Sequence, residues 1–160
     1  MRAINTIVIH CSATKHERND LDRDFIRKVH VEENGWSDIG YHWIIRRDGT
    51  VQKGRMLGRG GAHAKGYNKT SIGICLMGGL HDNGLPSEGI DFFTLEQQLS
   101  LAWMIEQTKQ HFPIDTVVGH RELPNVKKAC PCFSVQRWLV SMPAIVAKLE
   151  FSEYQPALEL

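Results

Sequence analysis

The 160 residues predict an α/β fold: a single domain over 1–160 with its core at about 4–150, a central mixed β-sheet flanked by helices, and a cleft at the strand ends. Three observations carry this. The chain has the length of one domain, and 42% hydrophobic residues suffice for a core that needs no staples. Apolar runs alternate with helical patterns in the order strand, helix, hairpin, strand, helix, strand, helix, which lays helices against a sheet. Two of the strands end in histidine, His10 and His120, and strand ends in such sheets are where ligand crevices open.

Each element has a local reason. Ile4 to Cys11 is a near-continuous apolar run rich in β-branched residues, as expected of a strand buried on both faces. Asp22 can cap a helix running to Asn34, with Phe25, Ile26 and Val29 on one face and Gly35 as its stop. Tyr41–Arg46 and Thr50–Lys53 flank Asp48-Gly49, a strong hairpin signal. Residues 54–70 hold five of the fourteen glycines and read as a long ordered loop, a kind more often functional than idle. Ser71–Met77 is a second buried strand, followed by another loop over 78–93. Thr94-Leu95-Glu96-Gln97 matches a capping box, and Leu95, Leu99, Ala102 and Trp103 form the stripe of a helix reaching about Gln110. Thr116–Val118 is a third strand, ending in Gly119-His120. Ser134 caps a last helix through Trp138 and Leu139, which Pro143 either kinks or restarts, and the tail after Phe151 reads as frayed.

Composition excludes several classes of function. Lys and Arg number 19 against 18 Asp and Glu, a net charge of +1. That argues against a dedicated binder of nucleic acid or anionic membrane, which shows a clustered basic excess. No apolar run approaches the ~20 residues of a membrane span. Met1–His10 lacks the length of a signal-peptide core, so synthesis in the cytoplasm without a signal peptide is expected. Eight histidines and four cysteines stand out. In a reducing compartment, metal binding or plain burial is the expected use of Cys11, Cys75, Cys130 and Cys132, rather than a disulfide frame.

His120 ends one strand, and Cys130 follows ten residues later across a Pro-containing loop. With His10 from another strand end, they make three N/S donors of the kind borderline-soft zinc prefers. Three protein ligands rather than four leave a position for water, which marks a catalytic site. A histidine at a strand end is also commonly just a hydrogen-bonding residue, and a cysteine beside proline a small buried hydrophobe. There is no CxxC pair and no HExxH helix, so spacing leaves both readings open.

Five segments together resemble the type 2 N-acetylmuramoyl-L-alanine amidases, the zinc amidase family that includes phage lysozyme-type enzymes and animal peptidoglycan recognition proteins. They are Val8-Ile9-His10-Cys11-Ser12-Ala13-Thr14; Gly35-Trp36-Ser37-Asp38-Ile39-Gly40-Tyr41-His42 with Arg47-Asp48-Gly49; Ala62-His63-Ala64-Lys65-Gly66-Tyr67-Asn68 with Ser71–Leu76; Gly119-His120-Arg121-Glu122; and Lys127-Lys128-Ala129-Cys130-Pro131. They run in unbroken order over roughly residues 5–140, closest to the compact phage members.

The resemblance implies one zinc ion on His10, His120 and Cys130, with Tyr41 and Lys128 as catalytic side chains. It implies hydrolysis of the amide between N-acetylmuramic acid and L-alanine in bacterial peptidoglycan, in cell-wall lysis. His63 and Asn68 would stand on the cleft wall against the glycan strand and stem peptide. Glu122 reads as a support for a ligand or an ordinary salt bridge, and His42 as a strand histidine facing the core or the opposite surface. His16, His30, His81 and His111 read as structural or solvated. Cys11 would point to the sheet face opposite His10, Cys75 to the core, and Cys132 is a less expected stand-in for Cys130. The protein is expected to be a monomer that reaches the wall by holin-type or other non-classical release. The alternative is a non-catalytic peptidoglycan-binding module on the same fold; binding-only relatives lack the cysteine ligand, and Cys130 is present. A small interaction protein with a structural zinc would want a fourth protein ligand.

Overall fold

Ile7, Val8 and Ile9 are each 0% exposed, so the first strand lies in the interior of the sheet and is covered on both faces, as its unbroken apolar run requires. The structure is a computed structural model that describes residues 2–147 and 153–160. In chain order the elements are β1 (Thr6–Cys11), β2 (Thr14–Lys15), α1 (Arg23–Arg27), β3 (Trp43–Ile45), β4 (Val51–Lys53), β5 (Ser71–Leu76), β6 (Gly79–Leu80), α2 (Leu95–His111), β7 (Thr116–Gly119), α3 (Val135–Ala147) and β8 (Leu158–Glu159). Six strands form one sheet in the order β7-β1-β5-β3-β4-β8. β7, β1, β5 and β3 are mutually parallel, β4 turns back against β3, and β8 runs parallel to β4. The predicted mixed sheet is therefore present.

Strand alternation sorts the first strand's side chains to two sides. Ile7, Ile9 and Cys11 join Ile74, Leu76, Leu101, Ile105, Phe133 and Trp138 in the core beneath α2 and α3. Val8 packs the other way, on Ala64 and Leu123. Beside it Ile44 meets Leu21, Ile26 and Ile39. His10 shares Val8's side, the side of the long loop, and Cys11 takes the helix side as expected.

Two helix starts follow their sequence signals. Asp22 accepts from the Asp24 amide at 2.9 Å. Thr94 and Gln97 form the capping box, and the Gln97 amide also donates to Met77 O at 2.8 Å. That contact ties α2 to the end of β5. The long loop is ordered by guanidinium groups that reach backbone carbonyls. Arg55 holds Ile39 O and Gly60 O at 2.7 and 2.9 Å, and Arg2 holds Leu57 O and Ser71 O at 2.8 Å each.

Three expectations change. The helix from Asp22 is α-helical only to Arg27 and continues as a π-helical turn over Lys28–Glu33. The hairpin strand expected from Tyr41 begins at Trp43; Tyr41 lines the cleft, and His42 is buried away from it. The tail is not frayed where it is described: Leu158–Glu159 covers the edge of β4, and the Tyr154 hydroxyl lies 2.8 Å from Ser100 Oγ. The edge of β4 offers unpaired backbone groups, and Val51 N finds Ala157 O at 2.8 Å. Phe151 and Ser152 lie outside the described residues. Pro143 sits within α3, which runs on past it.

Candidate metal centre and active-site cleft

Parallel pairing of β1 with β7 brings Ile9 opposite Gly119, so the residues that follow, His10 and His120, emerge side by side at one rim. Their ring centroids are 4.6 Å apart. A short 3-10 turn over His120–Glu122 then leads the chain back, and Arg121 N bonds Cys130 O at 2.8 Å. That bond returns Cys130 to the same rim. His10, His120 and Cys130 thus offer donor atoms that all lie within 4.8 Å of one another, a candidate metal-holding triad among the described residues.

The donor set suits zinc. Tetrahedral bonds of ~2.0–2.3 Å place neighbouring ligands roughly 3.3–3.8 Å apart, and His10 Nδ1 lies 3.6 Å from Cys130 Sγ. The Cys11 amide donates to that sulfur at 3.3 Å, support that suits a thiolate. Both imidazoles are held neutral, the form that ligates. Burial first, then the charges of His63, His120 and Lys128, holds His10 well below its ordinary pKa. Burial and Lys128 lower His120 as well.

A proton-ordered chain runs behind His10. Its Nε2 lies 2.9 Å from His63 Nδ1, His63 Nε2 lies 3.3 Å from Ser71 Oγ, and Ser71 Oγ donates to Tyr67 O at 2.7 Å. Because Ser71 donates onward, it accepts from His63, His63 Nδ1 accepts from His10, and His10 Nδ1 faces the triad without a proton. The His63 ring rests on Gly73 of β5, where a Cβ would come within 2.6 Å of it. His63 is 9% exposed, and its backbone amide and that of Ala64 both donate to Asn68 Oδ1, at 2.8 and 2.9 Å.

The triad floors a cleft of about 280 Å³ walled by His30, Trp36, Tyr41, Ala62, His63 and Lys128. Tyr41 lies with its ring centroid 5.0 Å from that of His10. Burial, then the nearby Cys75 and Cys130, pushes its phenol well above the ordinary value, so it stays protonated. Cys75 is fully buried beneath it. Cys11 takes the other face, its Sγ turned to Cys132 and outside the donor group; its contact with Cys130 together with burial pushes its thiol up to about 12.

Glu122 is outside the cleft. It accepts from Gly119 N at 2.8 Å and from Gln136 N and Ser134 Oγ at 3.3 Å each, pinning the His120 turn to the start of α3. Burial alone would raise its pKa, but these amides outweigh it and hold the carboxyl low. His42 is fully buried, accepting from Gly73 N and donating to Arg59 O, both at 3.0 Å. His16 packs between Phe92 and Phe93 with Nε2 2.7 Å from Ser87 Oγ. His81 stands against Phe92, and His111 lies on the exposed end of α2. Sequence reasoning did not place His30 and Trp36 on the cleft wall. His30 sits in the π-helical turn, a distortion frequent at functional sites, but no sequence signal separates that turn from ordinary α-helix.

The sequence profile of the N-acetylmuramoyl-L-alanine amidases matches residues 1–133. This chain belongs to that family. The amidase is 43% identical to the endolysin of Enterobacteria phage K11 over 131 residues, 82% of each chain. It is likewise 43% identical to the endolysin of Escherichia phage T7 over 134 residues, 84% of each. Among solved structures it resembles N-acetylmuramoyl-L-alanine amidase LysC from Clostridium intestinale URNW, with TM-score 0.70 and 28% identity over 93% of this chain and 87% of that one. A bumblebee PGRP-SA superposes with TM-score 0.69 and 26% identity, covering 88% and 82%. The α/β architecture, the family and the peptidoglycan amidase activity expected from the sequence are thereby shown. Among the described residues no helix is long and apolar enough to cross a membrane.

Proposed function

We propose that the amidase is a zinc hydrolase in which His10, His120 and Cys130 hold one ion and Tyr41 and Lys128 act on the scissile amide. The observation that carries this is the convergence of two neutral imidazoles and one thiol within 4.8 Å on the floor of an open cleft. When bound there, zinc acidifies a water molecule and polarises the carbonyl between the lactyl group and L-alanine. Everything else falls to the chain's own side chains.

Lys128 lies at the cleft mouth and places a positive charge where negative charge develops on the carbonyl oxygen. Tyr41, held as a phenol, donates a hydrogen bond across the cleft, to the oxyanion or to the departing amine. His63 keeps the His10 proton on Nε2 and the ring aimed. Asn68, which does not line the cleft, holds the His63 and Ala64 amides through Oδ1 and so fixes the His63 wall that the stem peptide would meet. Trp36, 40% exposed and tilted against His30 with centroids 4.5 Å apart, gives the glycan an apolar wall. Action on the wall follows phage-type release, as befits relatives named endolysins, and the single domain works as a monomer.

Digestion of purified peptidoglycan tests this. The protein is expected to solubilise it, to lose that activity to a chelator and to regain it with zinc, and the products should carry new L-alanine amino groups. Cys130→Ser is expected to lose both zinc and turnover; a variant that cleaves normally would remove the sulfur from the site.

A further inference from the structure

Cys11 and Cys132 stand outside the metal triad, yet they face each other on the helix side of the sheet, Sγ to Sγ, at 3.8 Å. They come from opposite ends of the chain, the last residue of β1 and the loop between Cys130 and α3. Two features of the surrounding backbone single them out. Cys132 is held at φ +70°, in the left-handed region where glycine is the favoured residue. Gly79 keeps the space open: a Cβ there would lie 2.6 Å from Cys11 Sγ and 3.7 Å from Cys132 Sγ. A cysteine thus occupies a position suited to glycine, and a glycine sits where any side chain would crowd the pair.

We propose that Cys11 and Cys132 form a disulfide when the protein meets an oxidising compartment, and remain dithiol in a reducing one. The oxidant is a small-molecule disulfide of the glutathione type. One protein thiolate attacks a sulfur of the reagent, expelling one thiolate and leaving a mixed disulfide. The second protein thiolate attacks the protein-bound sulfur, closing the Cys11–Cys132 bond and expelling the other. Two electrons pass from the cysteines to the reagent, and the two protons the cysteines give up end on its expelled sulfurs. With Cys11 only 4% exposed and Cys132 2%, exchange waits on local opening and is slower than at a surface thiol.

The choice of partner matters for the metal site. Cys130 Sγ is also close to Cys11, 3.9 Å from its carbonyl oxygen, and a bond between those two sulfurs would remove a ligand. Cys132 gives Cys11 a partner that spares it. The bond would join the segment carrying His10 to the segment carrying Cys130 from the face opposite the cleft.

The test uses the zinc-loaded, full-length protein held in excess glutathione disulfide, then alkylated and mapped by mass spectrometry, none of which depends on amidase activity. The expected result is a loss of about 2 Da, one Cys11–Cys132 cross-linked peptide, unchanged zinc content, and a Tm roughly 5 °C or more above the reduced form. Cys132→Gly, which suits the backbone at that position, is expected to fold and to show neither the mass change nor the Tm shift. If all four cysteines stay alkylatable, or the linkage that forms involves Cys75 or Cys130, the proposal is overturned.

Discussion

Lys128 and His63 both border the triad, and they should fail in different ways. Lys128 is exposed in its loop and lines the cleft. Lys128→Ala should therefore lower turnover by ~10²–10³, the usual cost of one oxyanion donor, with zinc content and Tm unchanged. His63 works through His10, so His63→Ala should weaken zinc binding by ~10–100-fold, read by competition with a chromophoric chelator. A loss of turnover at full zinc occupancy would instead make His63 a direct substrate contact. Both residues stood in recognisable segments of the sequence. What the sequence could not show was direction: whether the His63 ring faced the cleft or the ligand depends on Gly73 beneath it and Ser71 behind it.

At the scale of elements, the join between α2 and the sheet rests on Gln97. It is fully buried, donates to Met77 O and Ile45 O, and accepts from Arg47 at 2.8 Å. Gln97→Ala removes these partners from buried groups, at an expected cost of ~1–3 kcal/mol. For a chain of this size that is a fall in Tm of a few degrees, measurable by calorimetry. The capping box that positions Gln97 was legible because its signal is local, four consecutive residues. The same holds for the Asp48-Gly49 hairpin and the strands around His10 and His120. The return of residues 158–159 to the sheet was not legible, because its cause is the open edge of β4 more than a hundred residues away. Nor was the π-helical turn, because no residue type in Lys28–Glu33 marks it off from an α-helix.

For the whole molecule, acid is the expected weakness. His42 is buried, and burial first, then the Arg2 and Arg55 charges, lowers its pKa to about 4 despite its bond to Arg59 O. In the unfolded chain it titrates near 6.5. The unfolded state therefore binds the extra proton first, and stability present above pH ~6.5 is lost as pH falls toward 4. This one group accounts for about 3 kcal/mol across that window. His16, also brought to about 4 by burial and Arg47, adds in the same direction. Denaturant midpoints measured from pH 7.5 to 4 should fall steadily; a flat profile would mean that these histidines carry the same protons folded and unfolded.

The strand order has a consequence for when the protein becomes dangerous. β1 precedes β5 and β7 in the chain but pairs with both, so its partners leave the ribosome some 65 and 110 residues later. Contacts so distant along the chain form late. His10 has no His120 beside it until β7 is in place, and no sulfur until Cys130 follows. A nascent or prematurely terminated chain that ends before residue 130 is thus a blank, holding the first donor and lacking the last. On the proposed zinc reading, amidase competence waits on translation of residue 130, and the topology itself serves as the safety catch.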